Sequence, residues 1–171
     1  MALSAQKLAA DPSANCWVSA SAGTGKTKIL IDRLAQLLLL GFTPESVLCI
    51  TFTKAAANEM QERLLQKLQS WAIADEEFLV KELEELLGSK PSATVIGRAQ
   101  SLFFTTLDTP GGLKIQTIHS FCQSLLQSFP LEAGIDPCFE LIEEEMANLL
   151  LENALQTTFE KIPDVIESSL D

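Results

Sequence analysis

Histidine occurs once in the 171 residues, at His119, and the four cysteines (Cys16, Cys49, Cys122 and Cys138) lie far apart with no C-x-x-C pair. That scarcity argues against both a zinc site and a disulfide framework. Cys16 and Cys49 stand inside apolar, strand-like runs, which predicts buried free thiols. No apolar run reaches the ~18–20 residues that span a bilayer. The longest, Ile29 to Leu40, is interrupted by Asp32, Arg33 and Gln36. Met1 to Ala10 lacks the basic start and apolar stretch of a secretory signal, so a cytoplasmic protein with no membrane partner is expected.

A basic footprint is also missing. The formal net charge is −11. Its distribution is uneven: residues 1–70 carry 7 Lys+Arg against 5 Asp+Glu, a net +2, whereas residues 71–171 carry 5 against 18, a net −13. The acidity is concentrated at Asp75–Glu85 and Glu140–Glu167, in helix-like stretches that read as solvated faces or as surfaces meeting another part of a larger protein. Any contact with nucleic acid must therefore be local.

What is present is an ordered alternation of elements. Cys16-Trp17-Val18-Ser19 reads as a strand, with Trp17 as a packing residue. Ile29, Leu30, Leu34, Leu37 and Leu38 repeat at helical spacing, and Gly41 stops that helix. Val47 to Phe52 is a continuous apolar run suited to a strand covered on both faces. Residues 55–71 are helical again, and strand–loop–helix–strand–helix is the signature of a parallel α/β sheet. Further helices are expected at Glu76–Leu87, at about 95–107, at about His119–Phe129 and at Met146–Phe159, with a short strand at Lys114–Ile118. Gly88 to Ser92 is the best linker, and Asp108-Thr109-Pro110-Gly111-Gly112 is a strong turn.

Between the first strand and the first helix lies Ala20-Ser21-Ala22-Gly23-Thr24-Gly25-Lys26-Thr27. Successive backbone N–H groups in such a loop form an anion nest, and the helix N-terminus adds its partial positive charge. The glycines allow backbone conformations and close approaches that a side chain would block. Lys26 is expected to reach the β- and γ-phosphates of ATP, and Thr27 to place its hydroxyl on Mg²⁺. Lys28 completes the segment. The common pattern has Gly where this chain has Ala20, but Gly-x-Gly-Lys-Thr is intact.

Further segments narrow the class. Thr51-Phe52-Thr53-Lys54-Ala55-Ala56-Ala57-Asn58-Glu59-Met60, followed by Arg63, resembles motif Ia of the UvrD/RecB-type superfamily 1 helicases. Thr117-Ile118-His119-Ser120-Phe121-Cys122 resembles the next motif of that family, and Gln6, in Gln6-Lys7-Leu8-Ala9-Ala10-Asp11-Pro12, resembles its Q motif. The segments Ser19–Thr27, Asp108–Cys122 and Phe129–Gly134 are most similar to the AddA branch, of the alphaproteobacterial type, whose members are helicase–nuclease components of a double-strand-break repair complex. The similarity runs over most of the chain and is weakest at 70–95 and after 160.

The resemblance implies Gln6 at the adenine edge, and Ala20, Ser21, Ala22, Gly23, Thr24, Gly25, Lys26, Thr27 and Lys28 around phosphate and Mg²⁺. It implies Phe52 and His119 on single-stranded DNA, with Thr51, Thr53, Thr117 and Ser120 near its backbone. An aromatic face stacks on any base, and hydroxyls bind phosphates without sequence preference. Plainer roles stand beside these: Phe52 as the core end of a strand, His119 and Ser120 as helix caps, Gln6 as an ordinary polar residue of a terminal segment, and Glu59–Arg63 as a helix pair. The resemblance further implies an α/β, RecA-like fold. Residues 1–130 would form the N-terminal part of the first ATP-binding domain, with a helical excursion at about 70–107. Residues 131–171 would begin an inserted helical subdomain. The implied partners are the remainder of the motor and an AddB-like protein, in a bacterial cytoplasm and on the nucleoid.

One element of the family is missing. ATP turnover needs an apolar strand ending in Asp-Glu, and the nearest approach is Phe139-Glu140-Leu141-Ile142-Glu143-Glu144-Glu145. Its apolar run is short and already contains Glu140, so the three Glu residues read better as the start of a helix, where the dipole favours negative charge. No second RecA-like domain, arginine finger or nuclease carboxylates follow. The expectation is an N-terminal ATP-binding piece of a helicase, or a truncated remnant that binds nucleotide or a partner without turnover. An unrelated P-loop ATPase or kinase fits the segments at Thr51–Arg63 and Thr117–Cys122 poorly.

Overall fold

The computed structural model describes residues 5–21, 23–142 and 144–168. Ala22 and Glu143, both named above, lie outside the described residues. The chain divides into two compact units, Met1–Ser124 and Leu125–Asp171. In order, the elements are α1 (Ala5–Ala10), α2 (Lys26–Leu40), a 3-10 turn (Pro44–Ser46), β1 (Leu48–Thr51), α3 (Lys54–Ile73), α4 (Glu76–Leu87), α5 (Ala93–Asp108), β2 (Lys114–Thr117), α6 (Ile118–Ser128), α7 (Pro130–Ala133) and α8 (Glu144–Ser168).

The core of the first unit is a helical cluster. Ala57, Met60, Leu64, Leu68 and Trp71 recur at spacings of three and four along α3, so one stripe is buried. It packs with Ile31, Leu34, Ala35, Leu38 and Leu39 of α2, Leu79 and Leu83 of α4, and Ala99 and Leu102 of α5. Each fully buried leucine contributes roughly 1.5–3 kcal/mol relative to exposure. Local chemistry sets the helix ends. Thr53, Asp75 and Ser92 accept from the amides of Ala56, Phe78 and Val95 at the starts of α3, α4 and α5. At the end of α2, Gly41 takes φ 102°, and its amide and that of Phe42 donate to the carbonyls of Leu38 and Leu37 at 3.0 and 3.2 Å. A Cβ at Gly41 would also lie 3.2 Å from the Arg98 guanidinium, which itself donates to Leu39 O at 2.5 Å.

Two parallel strands form the sheet, with Leu48 opposite Lys114, Cys49 opposite Ile115, Ile50 opposite Gln116 and Thr51 opposite Thr117. The chain is thus mixed α/β with a parallel sheet flanked by helices, as the alternation of elements predicts. Four expectations need correction. Residues Cys16–Ser19 are not a strand: no described strand pairs with them, and an apolar run without a neighbour has no ladder to join. Trp17, expected to pack, is 96% exposed for the same reason. The Cys16 thiol is exposed too, donating to Leu8 O at 3.4 Å, whereas Cys49 is half-buried and burial pushes its pKa up. β1 is covered on one face only: Cys49 and Thr51 are half-buried, but Leu48 and Ile50 are exposed.

In the second unit, α7 ends at Gly134 and no residue whose burial is described is buried; Leu149, Leu151, Leu155 and Phe159 of α8 are all exposed. Residues 139–142 are in no strand. Among the described residues no helix is long and apolar enough to cross a membrane.

Candidate functional site

The loop at residues 20–27 leads directly into α2. Gly23 and Gly25 adopt φ 80° and 85°, the left-handed region that glycine enters without penalty. A Cβ at either would meet nothing within 4 Å, so the space over the loop is open and the glycines serve backbone shape. The first amide to bond back along the helix is that of Ile29, to Gly25 O at 3.1 Å. The N–H groups of Lys26, Thr27 and Lys28 therefore have no partner within the helix. Thr24 Oγ1 donates to Ser21 O at 2.8 Å and tightens the turn.

Lys26 is folded over its own loop. Its Nζ donates to Ala20 O at 2.7 Å and to Ser21 O at 2.6 Å. The loop thus supplies two carbonyls that hold the ammonium near the open amides, where an anion can take over the pairing. Thr27 stands half-buried on the first turn of α2, and its hydroxyl makes no hydrogen bond among the described residues. An open glycine cradle, free helix amides, an ammonium and an adjacent hydroxyl fit a triphosphate with its Mg²⁺.

Gln6 lies on α1, a helix that the sequence pattern did not disclose. Arg33 of α2 holds this segment, donating to the carbonyls of Ala9, Asp11 and Ala14 at 3.3, 2.6 and 2.7 Å. Gln6, Gly25 and Lys28 share one cavity of about 430 Å³, which α4 helps to wall. Of the phosphate residues named from sequence, Gly25 and Lys28 thus share a cavity with Gln6, although they come from separate elements. Sequence reasoning missed Arg33, because an arginine on an amphipathic helix carries no local sign of carbonyl partners some twenty residues upstream.

The second group of residues gathers at the C-terminal ends of the two strands. Register places Thr51 beside Thr117, so the turns that follow are neighbours. Phe52 is 84% exposed, which excludes the core role weighed for it. Thr53 caps α3 through Ala56 N at 3.1 Å, and Thr51 Oγ1 donates to Thr53 O at 3.0 Å. Thr117 is buried; its hydroxyl accepts from Ser120 N at 3.2 Å and lies 3.0 Å from Ser120 Oγ. Thr117 therefore shapes the turn, while His119 projects exposed from the first turn of α6. Glu59 and Arg63 form the expected ion pair on α3.

The sequence profile of the family described as UvrD/REP helicase N-terminal domain matches residues 2–169. ATP-dependent helicase/nuclease subunits of the AddA type are similar to the chain. One from Exiguobacterium sibiricum is 34% identical over 146 residues, covering 84% of this chain and 10% of that protein. One from Lactobacillus gasseri is 37% identical over 142 residues, covering 81% and 10%. One from Lactobacillus johnsonii is 38% identical over 139 residues, again covering 81% and 10%. The chain spans about a tenth of the length of these relatives.

Proposed function

Since the chain belongs to the UvrD/REP helicase family, we propose that it is the N-terminal ATP-binding portion of a DNA helicase of the AddA helicase/nuclease kind. Residues 1–130 form the N-terminal part of the first RecA-like domain, with the helical excursion at about 70–107, and residues 131–171 begin an inserted helical subdomain. In the whole protein, ATP hydrolysis drives translocation on single-stranded DNA during double-strand-break repair, with an AddB-like protein as partner, in the bacterial cytoplasm and on the nucleoid.

The observation that carries this reading is the loop that ends in the left-handed Gly25 and opens α2 at Lys26, with the Lys26 ammonium held 2.6–2.7 Å from two loop carbonyls. Its chemistry is electrostatic. The amides of residues 26–28 donate to phosphate oxygens, and Lys26 leaves the carbonyls of Ala20 and Ser21 to pair with the terminal phosphates. Thr27 offers its hydroxyl oxygen to Mg²⁺, which supplies charge neutralisation when bound. Gln6 meets the base. Phe52 and His119 present exposed rings to single-stranded DNA, with Thr51, Thr53 and Ser120 beside its backbone and Thr117 holding the turn.

The test is equilibrium binding of ATP·Mg²⁺ to the 171-residue chain. Lys26→Ala is expected to abolish it; undiminished binding by that variant would sink the assignment of the loop.

A further inference from the structure

Three helices meet at one ammonium. Lys67 Nζ of α3 donates to Asp32 Oδ1 of α2 at 3.1 Å and lies 3.6 Å from Glu82 Oε1 of α4. It also stands 5.5 Å from the ring centroid of Trp71, which is fully buried one turn further along α3. The three charged side chains are only 18–26% exposed, so solvent and salt screen them less than an open surface pair. Lys67 borders the cavity of Gln6 and Lys28 as well, with its ammonium engaged by the two carboxylates. The core that α2 and α3 share is otherwise apolar, with Leu34 and Leu38 on one helix and Leu64 and Leu68 on the other. Apolar packing has no preferred direction and tolerates small sliding of one helix along another. A charge-assisted hydrogen bond is directional, so Lys67 fixes the register of α3 on α2.

The two helices so fixed open at the two candidate binding regions. α2 opens at Lys26, directly after the phosphate loop, and α3 at Lys54, directly after Phe52 and Thr53. The described residues of both openings are exposed, from Gly23 to Lys26 and from Phe52 to Lys54. A ligand there orders segments that have little packing of their own. The tie lies in the packed part: Asp32 stands roughly 9 Å along α2 from Lys26, and Lys67 roughly 20 Å along α3 from Lys54, at the α-helical rise. We propose that Lys67 is a positioning residue that makes nucleotide binding and single-stranded DNA binding interdependent. Ordering one helix start, transmitted through the Lys67–Asp32 pair, lowers the cost of ordering the other. Glu82 extends the tie to α4, which opens neither region. The inference rests on residues 20–27 being the phosphate loop and on Phe52 meeting DNA.

The experiment measures, at constant ionic strength, the affinity of the 171-residue chain for ATP·Mg²⁺ with and without oligothymidylate, and for oligothymidylate with and without ATP·Mg²⁺. By linkage the two ratios are one number. The expected result is that each ligand tightens the other about fivefold or more. Lys67→Met keeps the stem against Trp71 and removes the charge; the ratio falls toward one while the two separate affinities hold. Asp32→Ala, which cuts only the arm to α2, lowers the ratio in the same way. Lys67→Arg, whose guanidinium serves both carboxylates, retains it. A ratio of one or less in the parent chain overturns the proposal, as does a ratio that survives Lys67→Met. A Lys67→Met chain that loses the separate affinities as well gives Lys67 a merely structural role and overturns it too. Failure of the parent chain to bind ATP·Mg²⁺ or oligothymidylate alone overturns the reading of that region itself, so the two failures are distinguishable.

Discussion

Thr51 and Thr117 are register partners at the ends of parallel β1 and β2, and each opens a turn that runs into a helix. The pairing places Phe52 and His119, two exposed rings distant in sequence, on adjacent turns. Nothing local to either segment produces that proximity; the ladder does.

The first prediction follows from that pair. Phe52→Ala is expected to weaken binding of a labelled oligothymidylate by roughly 1–3 kcal/mol, the range for loss of one stacked base, and His119→Ala to weaken it in the same direction. Fluorescence anisotropy at low and at moderate salt reads both. Because the chain is acidic overall, the stacking loss should persist at the higher salt, where phosphate contacts fade. Unchanged affinity in both variants would remove the strand ends from the DNA path.

Arg33 supplies the second. It holds three carbonyls around the end of α1, so Arg33→Ala should release that segment at a cost of about 1–3 kcal/mol. Amide hydrogen exchange at residues 5–10 should accelerate markedly, while the buried stripe of α3 stays protected. Because α1 carries Gln6, ATP binding should weaken more than tripolyphosphate binding.

Asp11 gives a pH dependence. Its carboxylate accepts from Ser13 Oγ at 2.7 Å and from Ser13 N at 2.9 Å. These bonds, the hydroxyl first, hold its pKa below the ordinary carboxylate range; slight desolvation opposes them and Arg33 adds to them. A depressed folded-state pKa contributes stability above the unfolded value, and that stability is lost as pH falls through the folded one. The effect is therefore confined to acid. Ser13→Ala should move the Asp11 titration upward, as followed by the carboxyl carbon shift in NMR. A titration that stays put would show that the hydroxyl is not the cause.

Turnover supplies the last. The stretch from Phe139 to Ile142 forms no strand, so it offers no strand-end carboxylate to activate water. Single-stranded DNA should leave ATP hydrolysis by this polypeptide unstimulated in a phosphate-release assay. Robust stimulated turnover would give Glu143–Glu145 the catalytic role that the sequence pattern argues against.

Chemistry written in consecutive residues was legible without any structure. The loop at 20–27 needs only two glycines in the left-handed region and a helix that starts at Lys26, and both are local properties of the chain. The buried stripe of α3 and the caps at Thr53, Asp75 and Ser92 follow from spacing and side-chain chemistry within one turn. Other features were decided only by tertiary packing. Cys16–Ser19 has the composition of a strand, but a strand exists only when a neighbour supplies its hydrogen bonds, and so Trp17 is exposed rather than packed. The placing of Phe52 and His119 on adjacent turns needed the register of β1 on β2. The grip of Arg33 on α1 needed a helix to carry its guanidinium back to residues 9–14. The cavity that brings Gln6, Gln36 and Glu85 together draws on three helices. Spacing along the chain encodes local geometry, whereas these contacts depend on how separate helices pack, which no single segment specifies.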